Sequence, residues 1–470
     1  MRHSGSSSAW RSLTLCLALP ALSIASDRAA GAATPVVPSI GCAGCTVLTG
    51  GTVFDGTRGG IGTVVIEGTR VRRVVFGEAH AIAGEVVDVT GQTVLPGLID
   101  LHVHSTSSAG LWGSAFEQSV DDVLRAMLRA GVTTYLDLGS PARTIFDYRT
   151  RIGEGALLAP RLFASGPLLT ATGGHPCYDD PPGDFCVFID APADVDAALD
   201  VLLPARPDFL KVVVEAGVSR PIPELSGPSL AAIEARAEAA GVRAIAHVSS
   251  TVEVEAALAG GVRLFAHLPF LDRISPDLAA RMAAEGVVVV PTAAVVDSDY
   301  RLSHGTVVEL DDPALGDDVP AEVVAELRSP AAVRSLTGAR RRALTETWRE
   351  TLQANVALCH QAGVRLAAGT DSGNPGVFHG LAMARELSLY VEAGMTPLEA
   401  LTAGTRAPAD LLRRSDLGRL EAGATADVLV VEGDALADIG ALARVARVYL
   451  DGGLVDREAL ALPRKTRLER

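Results

Sequence analysis

Lysine is nearly missing from this 470-residue chain: of its 41 basic residues only Lys211 and Lys465 are lysines, and the rest are arginines. Basic surface is scarce too, because 56 acidic residues outnumber the basic ones and leave a net charge of −15. That balance argues against nucleic acid and anionic membrane as partners, since both bind basic patches. No strand runs into a phosphate-cradling Gly-rich loop with a lysine, no Gly-x-Ser-x-Gly elbow occurs, and no basic stretch is interleaved with aromatics. Phosphoryl transfer, serine-hydrolase chemistry and nucleic-acid recognition thus lose their usual carriers. What is present is apolar: hydrophobic residues make up 48% and charged ones 21%, enough for a sizeable core.

Against that background Lys211 stands out, inside the apolar run Phe209-Leu-Lys-Val-Val-Val214. A guanidinium stays charged at any accessible pH, whereas a desolvated lysine can lose its proton and act as a nucleophile. An ion-paired structural lysine is the other reading of the same local sequence.

Residues 1–33 read as an export signal. Arg2 and Arg11 precede an apolar run over 13–24 that is too short to span a bilayer, and Ser23-Ile-Ala25 or Ala30-Gly-Ala32 offer small-residue cleavage sites. Export puts the cysteines in an oxidising setting. Cys177 and Cys186 close a polar loop and read as a disulfide, Cys42 and Cys45 as a disulfide or two free thiols, and Cys359 is left over.

From about residue 46 to 96, short Val-, Ile- and Thr-rich runs between Gly-rich turns have β-hairpin texture. From 97 to about 403, apolar β runs alternate with amphipathic segments such as 116–130 and 229–240, many ending in glycine, as parallel βα units do. Eight runs can be counted, at 98–104, 132–139, 161–169, 209–215, 243–248, 264–268, 287–291 and 365–371. Eight is the number that closes a (β/α)8 barrel. Hairpin texture returns at 426–432 and 445–450. The expected fold class is α/β: a TIM barrel over 97–411, with a small β-sandwich domain made from both chain ends, 46–96 plus 412–456. Residues 297–343 read as an insertion around the seventh helix, and the acidic run 309–318 as a solvated loop.

Strand side chains alternate, so His102 and His104 at the end of the first run point to one side, the barrel interior at its C-terminal mouth. Two imidazoles there can share a metal or be buried and hydrogen-bonded. Lys211 lies in the fourth run, His247 in the fifth and His267 in the sixth, while Asp371 ends the eighth. Each is the strongly polar side chain near the end of an apolar run, and in a barrel those ends face one site. Four histidines, a lysine and a carboxylate exceed what one tetrahedral metal needs, so two metals about 3.5–4 Å apart are expected. His175, on a Gly-rich loop after the third run, is a candidate for binding a substrate carbonyl or carboxylate, or else a loop histidine bonded to backbone.

The segments Val94-Leu-Pro-Gly-Leu-Ile-Asp-Leu-His-Val-His104, Asp208-Phe-Leu-Lys-Val212, Ala246-His247, Ala266-His267, Ala368-Gly-Thr-Asp-Ser372 and Glu421-Ala-Gly-Ala-Thr-Ala-Asp427 resemble the amidohydrolase superfamily of metal-dependent hydrolases, over residues 46–456. The lysine of the fourth run, Gly173-Gly-His175, and His379-Gly-Leu followed by Arg385-Glu-Leu are most similar to its binuclear branch with prolidase-like dipeptidases; imidazolonepropionase-like enzymes are more distant. The resemblance implies that Lys211 is carboxylated by CO2 and bridges two divalent ions, zinc being the first expectation. It implies His102, His104 and Asp371 on one ion, His247 and His267 on the other, a bridging water that becomes hydroxide near neutral pH, and Asp371 as general base and then general acid.

The expected function is that of an exported amidohydrolase cleaving an amide bond in an Xaa-Pro-like dipeptide or N-acyl amino acid. The same metal core would also suit a cyclic amide, lactone or carbamate. A non-catalytic scaffold is the third reading, and the six filled ligand positions weigh against it. Its partner would be a small-molecule substrate, with no nucleic acid, no membrane after processing, and self-association left open.

Overall fold

A computed structural model describes residues 40–77, 82–112, 118–178, 183–218 and 220–463. The expected export signal, His80, Phe116 and Lys465 lie outside them. Eight strands follow one another around the barrel: Leu98–Val103, Val132–Asp137, Arg161–Ala164, Phe209–Val213, Arg243–His247, Leu264–Ala266, Val288–Val290 and Arg365–Leu366. They are short and almost entirely buried, as parallel strands covered by helices on the outside must be. Ser226, Ser250 and Ser275 start the helices after the fourth, fifth and sixth strands, each side chain accepting from the backbone N–H three residues on.

The barrel closes through backbone bonds between its first and last strands. Leu101 N donates to Ala368 O at 3.1 Å, Asp371 N to His102 O at 2.7 Å and His104 N to Ser372 O at 2.9 Å. That approach needs a glycine at 369, because a Cβ there would stand 2.8 Å from His102 N and 3.0 Å from its Cβ. Between the third and fourth strands, Asp208 N donates to Ala164 O at 2.8 Å.

All eight strands are shorter than the expected runs, the third, sixth and eighth most of all. Gly166, at φ +71°, and Pro167 split the third run into Arg161–Ala164, paired with the second strand, and Leu168–Thr170, paired with the fourth. A proline has no N–H for the ladder, so the strand breaks there. The sixth run ends early because His267 turns into the left-handed region, at φ +79°, and Asp371, beyond the short eighth strand, takes the same conformation at φ +56°.

Both ends of the described chain share one eight-stranded sheet, in which Gln92–Pro96 runs antiparallel to Val428–Glu432. Its own core buries Leu48, Val64, Val71, Val94, Val428 and Tyr449. Arg161 of the third barrel strand pairs with Asp427 and Asp451, tying barrel to sheet.

Of the acidic run 309–318, residues 311–314 and 316 are exposed, while Leu315 and the segment after it fold back on the barrel. Leu315, Val319, Val323 and Leu336 pack against Phe378 of the loop after the eighth strand, and Asp318 accepts from Arg129 Nε at 2.6 Å. The apolar residues are spaced among charges, which hid them. Both close cysteine pairs are bonded, Cys42–Cys45 and Cys177–Cys186, and Cys359 is free and buried. Among the described residues no helix is long and apolar enough to cross a membrane.

Asp297 is 2% exposed and accepts from Arg349 Nε and Arg385 Nε, each at 2.8 Å. Asp297→Ala would leave Arg349 and Arg385 to share Glu392 alone, at a cost of about 3 kcal/mol of unfolding free energy. Urea denaturation reads this directly, and an unchanged midpoint would show that the network contributes nothing.

Candidate metal centre

The ends of the strands bring the expected ligands to one place. His104 Nε2 lies 3.0 Å and His102 Nε2 3.4 Å from Asp371 Oδ1, and His267 Nδ1 lies 3.9 Å from Asp371 Oδ2. Lys211, 1% exposed, puts Nζ 3.3 Å from His102 Nε2. The His267 ring is 4.8 Å from that of His102 and 4.3 Å from that of His247, centroid to centroid. His175 joins them from its loop, its ring 4.8 Å from that of His247. His304 and His360 stay away from this site, bonded to Tyr300 O and paired with Glu399.

Two of these imidazoles have one nitrogen committed elsewhere. His104 Nδ1 must donate to the Gly139 carbonyl, 2.9 Å away, which leaves Nε2 with its lone pair toward Asp371. Thr292 Oγ1 donates to Pro291 O, so it accepts from His267 Nδ1 at 2.6 Å and again leaves Nε2 free. His379 acts on the frame, donating from Nε2 to the His104 carbonyl at 3.2 Å.

Three residues that hold this site together were missed from sequence. Glu215 Oε2 lies 2.9 Å from His247 Nε2 and accepts from Ser249 Oγ at 3.1 Å. It follows Lys211 by four residues, and strand alternation alone would have put both on one face. By the same rule Asp100 shares a face with His102; its carboxylate accepts from His102 N, Thr370 N and Thr370 Oγ1, latching the first strand to the eighth. Thr292 carried no signal, because its position depends on a left-handed turn at φ +51°. Non-glycine residues in that region cost roughly 1–3 kcal/mol and cluster at functional sites; here three, His267, Thr292 and Asp371, follow the sixth, seventh and eighth strands.

Burial dominates the electrostatics. It pulls Lys211 down to about 7, with Asp371 opposing, so a neutral amine is accessible near neutrality. It drives His102 and His267 well below the ordinary imidazole value, with Lys211 and His247 adding to the effect. Burial lowers His104 as well, but Asp371 beside it wins and raises it. For Asp371 burial is outweighed by His104 and Lys211, and its carboxyl stays below the usual range. Burial would raise Glu215, yet His247, His175 and Ser249 bring it to about 2.

This donor set fits a divalent cation. Asp371 Oδ1 is buried with no hydrogen-bond partner, and two imidazole Nε2 atoms face it. Ligands 2.0–2.1 Å from a tetrahedral zinc stand about 3.3–3.4 Å from one another, the range these separations bracket.

The sequence matches the Amidohydrolase family over residues 93–455. It is 25% identical over 384 residues to an ochratoxinase of Aspergillus niger, covering 74% of this chain and 71% of that one. It is 27% identical over 389 residues to an imidazolonepropionase of Chromobacterium violaceum, covering 75% and 80%. In fold it is similar to the crystal structure of a prolidase complexed with N-methylphosphonate-L-proline, with a TM-score of 0.68, 26% identity, and 87% of this chain and 99% of that one covered.

Thr292→Val removes the hydroxyl that fixes the His267 tautomer while keeping the side-chain volume. Metal affinity should fall roughly 10–100-fold, as for other outer-sphere partners. Competition with a chromophoric chelator measures it, and wild-type affinity would strip Thr292 of that role.

Proposed function

This chain belongs to the amidohydrolase family and is a hydrolase of carbon–nitrogen bonds; on that premise we propose that it is exported and cleaves the amide bond of an Xaa-Pro-like dipeptide or an N-acyl amino acid, using two divalent cations at the barrel mouth. The observation that carries this proposal is the convergence of His102, His104, Lys211, His247, His267 and Asp371 from five strand ends on one buried point. Bound there, divalent ions, zinc the first expectation, would polarise the substrate carbonyl and lower the pKa of water to about 7.

The chain's own residues do the rest. His102, His104 and Asp371 would hold one ion, and His247 and His267 the other. Lys211 Nζ, as a neutral amine, would bond to the carbon of CO2 and release one proton, turning an uncharged side chain into an anionic carboxylate able to hold divalent ions. Asp371, ionised at neutral pH, would take the proton from water and hand it to the leaving nitrogen. Asp100 and Gly139 would keep the first strand's histidines aimed while that happens.

The likeness to a prolidase complexed with N-methylphosphonate-L-proline supports a peptide-like substrate. The imidazolonepropionase likeness favours the second reading, a cyclic amide on the same core. Two disulfides support an oxidising destination outside the cytoplasm.

Zinc-loaded protein should turn over members of a dipeptide and N-acyl amino acid library. Silence across that library, with turnover of lactones or cyclic ureides, would reject the peptidase assignment. Lys211→Arg should lower kcat/KM by more than the roughly 100-fold typical of an outer-sphere partner. Lys211→Ala should regain part of the activity with an added short carboxylic acid, and full turnover by the arginine variant would remove the carbamate from the account.

A further inference from the structure

Glu215, His247 and His175 bring their donor atoms to a second common point, within 4.8 Å of one another. Glu215 Oε2 lies 2.9 Å from His247 Nε2, and Glu215 Oε1 lies 3.7 Å from His175 Nδ1. Around Asp371 the corresponding separations are 3.0 and 3.4 Å. Both sets bracket the spacing of about 3.3–3.4 Å expected of donors that share a tetrahedral ion. Glu215 is 4% exposed, and among the described residues its ion-pair partners are these two histidines. Ser249 Oγ, 3.1 Å from Glu215 Oε2, and the Tyr178 hydroxyl, 2.8 Å from His175 Nδ1, orient the cluster but bring no positive charge. A buried carboxylate is stable only beside a compensating charge, and a cation shared with the two imidazoles would supply it.

We propose that Glu215, His247 and His175 form a cation seat that gives the second metal a protein-borne carboxylate, so that this ion is retained without CO2. The inference rests on the hydrolase proposal and moves His175 from substrate binding to the metal. A carboxylated Lys211 would then serve turnover without being what retains the second ion. Loading becomes insensitive to bicarbonate, while turnover still depends on it.

The test strips the full chain with a chelator, reloads it with zinc either in CO2-free buffer or with bicarbonate, and counts metal per chain by mass spectrometry after gel filtration. The wild type should hold both ions in either buffer. Glu215→Gln should hold both with bicarbonate and lose one without it, the remaining ion reporting an intact barrel. Glu215→Asp, which keeps the charge, should recover at least part of the second ion in CO2-free buffer. Loss of one ion from the wild type in CO2-free buffer, with Glu215→Gln behaving identically, would overturn this inference alone. Less than one ion per wild-type chain in both buffers would overturn it together with the hydrolase proposal.

Discussion

His104 Nε2 faces Asp371 Oδ1 across 3.0 Å while its other nitrogen gives its proton to the Gly139 carbonyl. In the neutral imidazole two lone pairs then meet in a buried site, an arrangement that needs a shared proton or a shared cation. Protons cannot serve the whole cluster, because burial keeps His102 and His267 well below the ordinary imidazole value. Adding a proton to each ring would also crowd positive charge around Lys211, 3.3 Å from His102. Divalent cations satisfy all the facing donors together, and a lysine whose neutral amine is accessible near neutrality can stay among them.

The backbone is arranged around that requirement. Gly369 lets the chain after the eighth strand pass against His102, Asp100 latches that segment to the first strand through two hydrogen bonds from Thr370, and His267, Thr292 and Asp371 take left-handed conformations beyond the sixth, seventh and eighth strands. Each of these is costly or restrictive by itself, and together they point side chains of distant sequence positions at one spot. The outer layers serve the same end: the 297–343 segment packs on Phe378 beside the loop after the eighth strand, and Arg161 fixes the barrel to the sheet.

Much of this was legible in the sequence, for a physical reason. His102, Lys211, His247, His267 and Asp371 are isolated strongly polar residues in apolar runs, and parallel strands in a barrel leave their C-terminal ends nowhere to point but the mouth. Glu215 and Asp100 obeyed the same alternation and were overlooked, because Glu215 sits where the strand becomes a loop and Asp100 reads as strand interior. Thr292 was not legible at all, since its role depends on a backbone turn that no residue type announces. The split of the third strand was signalled by Gly166-Pro167. The packing of 315–336 was masked by the acidic residues between its leucines and valines.

The central claim is that this mouth holds two ions with Lys211 between them, and anomalous diffraction from zinc-loaded crystals tests it most directly. The account predicts two peaks about 3.5–4 Å apart, one against His102, His104 and Asp371 and the other against His247, with carboxylate density continuing from Lys211 Nζ. A mouth without an anomalous peak, around a bare Lys211 amine, would contradict it.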